Sequence, residues 1–169
     1  MSDNENLEPI TSFSGEYRFL SNSWPCLILY GMHWYDSCEH AYQAAKTTDI
    51  QVQLAIRNAQ SAGMAKRLGK SVHLRPDWEK IKLEVMGDLL WQKFVLDHKL
   101  RARLVATGQR QLIEKNHWGD IYWGVCGGRG TNHLGNLLMR IRNLAAYIVD
   151  NQPKDADGSY DDGQQPADD

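Results

Sequence analysis

Two short apolar runs, Leu27–Tyr30 and Met32–Tyr35, flank Gly31 and predict a pair of strands around a tight turn. Helical spacing takes over beyond them. Asp36-Ser37-Cys38-Glu39 reads as a capping box, with Asp36 as the cap and Glu39 reaching back, and the helix it opens runs to Lys46. Thr48 or Asp49 caps a second helix ending near Ala59, and Ala62–Leu68 forms a third. Pro76 suits a first helical turn. Trp78, Ile81, Val85, Leu89 and Phe94 then recur at helical spacing over a long helix from Asp77 to about Phe94. Asp97–Thr107 is a further helix stopped by Gly108, Gln111–Glu114 a short strand, and Gly135 to about Val149 a closing helix. Leu137, Leu138, Ile141, Leu144 and Ile148 are its expected inward face. The inventory defines an α+β class: a mostly helical single domain with a few short strands.

The chain of 169 residues suits one domain. Residues 1–11 are polar and read as a flexible tail, 12–150 as the folded body, and 151–169, rich in Gly, Pro, Gln and Asp, as a disordered acidic tail. That last segment holds six Asp and one Lys; the whole chain carries -2, so +3 is left on residues 1–150. A mildly basic body favours a phosphorylated or polyanionic ligand. No run approaches the roughly 20 apolar residues that span a bilayer, so no membrane role is expected. Cys26, Cys38 and Cys126 are odd in number and widely spaced, which predicts reduced thiols in a cytoplasmic protein. The six histidines lack ligand spacing and no Cys pair accompanies them, so neither a metal nor a cofactor is expected.

Glu39, Tyr42, Gln43 and Lys46 fall at i, i+3, i+4 and i+7, one stripe of the first helix. A carboxylate, two hydrogen-bonding groups and an amine on one stripe suit acid–base or nucleophilic chemistry, and equally an ordinary solvated face. Asn116–Gly124 gathers two Trp, a Tyr and Asp120, either to stack on a flat ring or as an aromatic core patch beside a turn acid. Gly127-Gly128-Arg129-Gly130-Thr131-Asn132 precedes the last helix and is an anion cradle or a plain loop. Its single Gly-Gly-Arg-Gly string also has an echo of RNA binding. Arg18 and Asn22, among aromatics, and Arg67, in a basic stretch, are further anion- or base-contact candidates.

Taken in order, these segments resemble the NADAR (YbiA-like) family. The resemblance rests on Phe19-Leu20-Ser21-Asn22, Glu39-His40-x-Tyr42-Gln43-x-x-Lys46, Met64-Ala65-x-Arg67-Leu68-Gly69, Arg75-x-Asp77-Trp78, Asp120-x-x-Trp123-Gly124, Gly128-x-Gly130-x-Asn132-x-Leu134-Gly135 and Arg142. It implies cleavage of N-glycosidic bonds between ribose and an exocyclic amine. The implied substrates are phosphorylated ribosylamino-pyrimidines of riboflavin synthesis, or ADP-ribose on guanine, including ADP-ribosylated nucleic acid. A non-catalytic ADP-ribose-binding module is the alternative. By motif, Glu39, Lys46 and Asp120 are the implied catalytic residues, and Arg18, Asn22, Tyr42, Gln43, Arg67, Trp123, Gly130 and Asn132 the ligand contacts. Ser23-Trp24 after the Ser-Asn pair, and Gln43 where the family carries an aromatic, depart from the pattern at the base pocket.

Overall fold

Ser37, not Asp36, starts the central helix. The computed structural model describes residues 7–151, and in it α1 spans Cys38–Ala45. Ser37 has extended backbone and its Oγ accepts from the His40 amide at 3.3 Å, while Asp36 is exposed. Glu39 does not turn back to the cap either. The Asn22 carbonyl accepts from the Glu39 amide at 2.9 Å, and the Glu39 carboxylate accepts instead from the Gln43 side-chain amide.

Every residue of α1 is buried, because the helix is enclosed on several sides. β1 (Ile28–Tyr30) and β2 (His33–Tyr35) pair antiparallel across Gly31, whose φ of 59° fits the tight turn. They cover one side of α1. α2 (Ile50–Arg57), capped by Asp49, α3 (Ala62–Leu68), capped by Ser61, and α4 (Trp78–Trp91) pack around the rest. Pro76 lies just ahead of the α4 cap, Asp77. The expected long helix continues past α4 as a π-type turn, Gln92–Leu96, and the changed winding sets Lys93 beside Phe94 in the interior.

α5 (His98–Val105) is capped by Asp97 and leads to Gly108, with φ of 61°. Gln111–Glu114 does not form the expected strand. Leu112 makes a single bridge to Ile10, and the paired strands are β3 (Lys115–Asn116) and β4 (Val125–Cys126), which run parallel. Ile10 is buried and exchanges backbone hydrogen bonds with Gln111 and Ile113 at 2.8 and 2.9 Å, so the chain is anchored within the stretch read as a tail. The acidic segment beyond Asn151 lies outside the described residues.

α6 (His133–Asp150) closes the body. Leu138 and Ile141 face inward as expected, with Leu137 and Ile148 partly covered, but Leu144 is half exposed. Its place is taken by Ala145 and by Arg142, whose buried guanidinium donates to Thr107 Oγ1 at 2.9 Å and to the Arg110 carbonyl at 2.8 Å. Those two acceptors let a charged side chain sit where the hydrophobic period called for an aliphatic one. Among the described residues the domain is α+β, helical with a few short strands, and no helix is long and apolar enough to cross a membrane.

Candidate active site

The stripe on α1 opens into a cavity of about 430 Å³. Glu39, Tyr42, Gln43 and Lys46 all line it, together with Asn22, Glu114, Asp120, Tyr122 and Trp123. A solvated helix face is thereby ruled out for these residues: Glu39 keeps only 9% of its surface. The Gln43 amide donates to Glu39 Oε1 at 2.7 Å, one turn along the helix. Asn22 Oδ1 and Gln43 Oε1 are buried with no hydrogen-bond partner. Orphaned acceptors cost free energy unless a ligand or water supplies the donor.

Lys46 sits at the end of α1, half-buried, with Nζ 3.5 Å from the Gly69 carbonyl and 5.6 Å from the centre of the Tyr42 ring. Burial lowers its proton affinity, Lys66 and Lys70 push in the same direction, and Glu39 opposes them. An amine so placed is easier to hold neutral than a surface lysine. Burial likewise pushes the Tyr42 phenol well up, so it stays a neutral hydroxyl. Trp123 meets Tyr42 edge-on at 5.4 Å and Tyr122 at 5.0 Å, and Tyr42 in turn leans on Trp78. The aromatics of the 116–124 segment are both core patch and cavity wall.

Asp120 is present but committed. Its Oδ1 accepts from the Tyr122 and Trp123 amides at 3.0 and 2.8 Å, a turn that aims Trp123 at the cavity. Four other expected contacts lie elsewhere. Arg18 is exposed on the 3₁₀ turn Gly15–Leu20, and Arg67 is exposed on α3. Neither lines the cavity, nor do Gly130 and Asn132. The Gly-rich segment is a tight turn closed by reciprocal Cys126–Arg129 backbone hydrogen bonds at 2.9 and 3.0 Å, not a cradle at the cavity. Gly130 allows close approach to the Gly124 carbonyl, where any Cβ would collide, and at φ of 145° its backbone is one that L side chains rarely adopt.

Lys66, Lys82 and Glu114 line the cavity without having been expected there from the sequence. Lys66 is one residue from Arg67, and the roughly 100° between neighbours on a helix decides which of the two faces inward. Its Nζ stands 5.7 Å from the exposed Trp118 ring at the mouth. Lys82, on α4, holds Nζ 4.0 Å from the Tyr122 ring centre and 2.6 Å from Glu79. Glu114 is a cavity carboxyl whose proton affinity is raised. Burial first, then Asp120 and Glu39, push it up to about 7, against Lys66. Among the described residues, no group of three or more His, Cys, Asp or Glu is arranged to hold a metal ion.

The sequence and the helical α+β body are similar to those of known proteins. The NADAR domain model matches residues 4–144. N-glycosidase YbiA of Escherichia coli (strain K12) is 40% identical over 140 residues, covering 80% of this chain and 86% of that protein. Riboflavin biosynthesis protein VVA0006 of Vibrio vulnificus (strain YJ016) is 39% identical over 129 residues; the match covers 75% of this chain but only 35% of the Vibrio protein. The NMR structure of E. coli YbiA superposes with a TM-score of 0.76 at 34% identity, over 88% of this chain and 92% of that one. The chain belongs to the NADAR family.

Proposed function

We propose that the protein is an N-glycosidase that hydrolyses the bond between ribose C1′ and the exocyclic amine of a base in a phosphorylated nucleoside-like substrate. The observation that carries this reading is the convergence of Glu39 and Lys46 on one cavity, with the lysine's proton affinity lowered by burial and by neighbouring lysines. The names of the relatives, N-glycosidase and riboflavin biosynthesis protein, support the same reaction class. A phosphorylated ribosylamino-pyrimidine is the substrate we favour, with the base against Trp123 and the phosphate near Lys66 or Lys82. The exposed Trp118 ring beside Lys66 supports a second reading, ADP-ribose linked to guanine, free or in nucleic acid. We place the protein in the cytoplasm on its free cysteines.

In the mechanism, the glycosylamine opens to an imine at C1′ and neutral Lys46 Nζ adds to that carbon. The C1′–N bond to the base then breaks, its electron pair leaves with the protonated amine, and a ribose–Lys46 Schiff base forms. Water adds to C1′ and expels Lys46. Glu39 serves the proton transfer at the attacking amine, a contribution of roughly 10²–10⁴-fold. The test is product detection by mass spectrometry after separate incubation with the ribosylamino-pyrimidine 5′-phosphate and with guanine-ADP-ribosylated DNA, beside Glu39→Gln. Ribose 5-phosphate from the first, lost in the variant, supports the favoured substrate. ADP-ribose from the second alone moves the reading to guanine-linked ADP-ribose. Binding of either compound without any product makes the protein a binding module.

A further inference from the structure

Glu114 has no hydrogen bond to its carboxyl among the described residues, although it lines the cavity and its backbone is held at both ends. The Glu114 amide donates to Asn132 Oδ1 at 3.1 Å, and its carbonyl accepts from the Val125 amide at 2.8 Å. Asn132 Nδ2 donates to the Leu112 carbonyl at 2.9 Å, so one side chain brackets the segment from Leu112 to Glu114. Asn132 does this from a left-handed backbone, φ 51°, ψ 41°, which no other non-glycine among the described residues adopts. A non-glycine residue in that region costs free energy, and Asn is among the residues that tolerate it.

Two glycines make room for the same segment. A Cβ at Gly124 would overlap the Glu114 carbonyl, and one at Gly135 would overlap the Leu112 carbonyl and the Asn132 amide. Gly124, Asn132 and Gly135 therefore converge on the backbone around Glu114 rather than on the cavity. The charged groups that face Glu114 are Asp120 from the loop, Glu39 from α1 and Lys66 from α3. Burial first, and then the two carboxylates among these three, raise its proton affinity to about 7, so a protonated fraction persists at neutral pH. Glu39, in contrast, is an acceptor for the Gln43 amide. Two carboxyls in one cavity with different surroundings is the arrangement that separates an acid from a base.

We propose that Glu114 is the proton donor to the departing exocyclic amine and that Asn132 is its positioning residue. This deepens the N-glycosidase reading and rests on it. As the C1′–N bond breaks, its electron pair goes to nitrogen, which takes the Glu114 proton. The water that later adds to C1′ returns a proton to the Glu114 carboxylate. Glu39 takes the proton released when Lys46 adds.

The test uses the full chain and the ribosylamino-pyrimidine 5′-phosphate, with kcat and KM followed over pH. The wild type is expected to lose kcat/KM above about pH 7 as Glu114 ionises. Glu114→Gln should lose roughly 10²–10⁴-fold in kcat and show no such limb. Asn132→Gly keeps the left-handed backbone but removes both side-chain bonds; it should lower kcat with KM little changed and shift the basic limb. Titration of the Glu114 carboxyl by NMR in the unliganded protein reads the group without turnover. A midpoint near 7 agrees with the proposal; a midpoint in the ordinary carboxylate range overturns it. Full activity and an unchanged basic limb in Glu114→Gln, with activity lost in Glu39→Gln, would overturn the proposal and leave the N-glycosidase reading intact. No turnover by the wild type would overturn that reading and the role of Glu114 with it.

Discussion

Replacing Glu114 by Gln should stabilise the folded protein at about pH 8 and leave it nearly unchanged at about pH 4. The carboxyl titrates at about 7 in place of 4.5, with burial as the largest cause and Asp120 and Glu39 adding to it. Between those values the folded chain binds more protons than the unfolded chain, so this group's contribution is intact below 4.5 and is lost as pH rises through 7. A shift of that size corresponds to roughly 3 kcal/mol. Water at the cavity mouth makes that figure a ceiling. Gln fills the same volume and never ionises, so the variant escapes the loss. For a chain of this length, ~3 kcal/mol is about 6–12 °C in Tm. Thermal melts of both proteins from about pH 4 to 8.5 read it directly. The Tm difference should be flat at the acidic end, grow up to about pH 7 and then level off. A difference that is constant with pH, or that shrinks as pH rises, refutes the buried-carboxyl argument.

Other outcomes follow from the packing and the thiols. Gly69→Ala would place a Cβ against Gln43 Oε1 and 2.8 Å from Gln43 Cβ and Cδ, so Gln43 must move and release Glu39; about 1–3 kcal/mol of stability should be lost in urea melts, with kcat falling and KM little changed. Asp120→Asn retains an Oδ1 for the Tyr122 and Trp123 amides and should melt close to the wild type, whereas Asp120→Ala should lose about 1–2 kcal/mol; equal melting of the two variants would contradict the turn. Cys26 is held below the ordinary thiol range by the neighbouring Cys38 thiol and by Lys93, against burial. In a Cys126→Ser background its alkylation rate by iodoacetamide should therefore rise with a midpoint below that of an ordinary thiol, and a midpoint at or above 9 would contradict that environment.

The parts of this fold that were legible in the sequence are the local ones. The α1 stripe needs only helical periodicity over eight residues, so Glu39, Tyr42, Gln43 and Lys46 could be placed on one face before any fold was known. The hairpin at Gly31 and the Asp49 cap are equally local. Asp36 and Ser37 are adjacent and both good caps, and only the extended backbone at Ser37 decides between them. Leu144 fits the hydrophobic period, yet Arg142 goes inward because Thr107 and Arg110 wait for it from a distant segment. Glu114 was hidden for the same reason: its importance comes from burial and from Asn132, eighteen residues further along the chain. Gly130 and Asn132 are expected by motif as ligand contacts; neither lines the cavity, and both pack against backbone, an arrangement the motif alone does not distinguish from ligand contact.

The most direct test of the account is borohydride trapping during turnover of the ribosylamino-pyrimidine 5′-phosphate, followed by peptide mapping. The account predicts free base in solution and a reduced ribose-phosphate adduct on the peptide that carries Lys46, absent from Lys46→Met. Free base released at an undiminished rate while Lys46 stays unmodified would contradict it and leave water as the direct nucleophile at C1′.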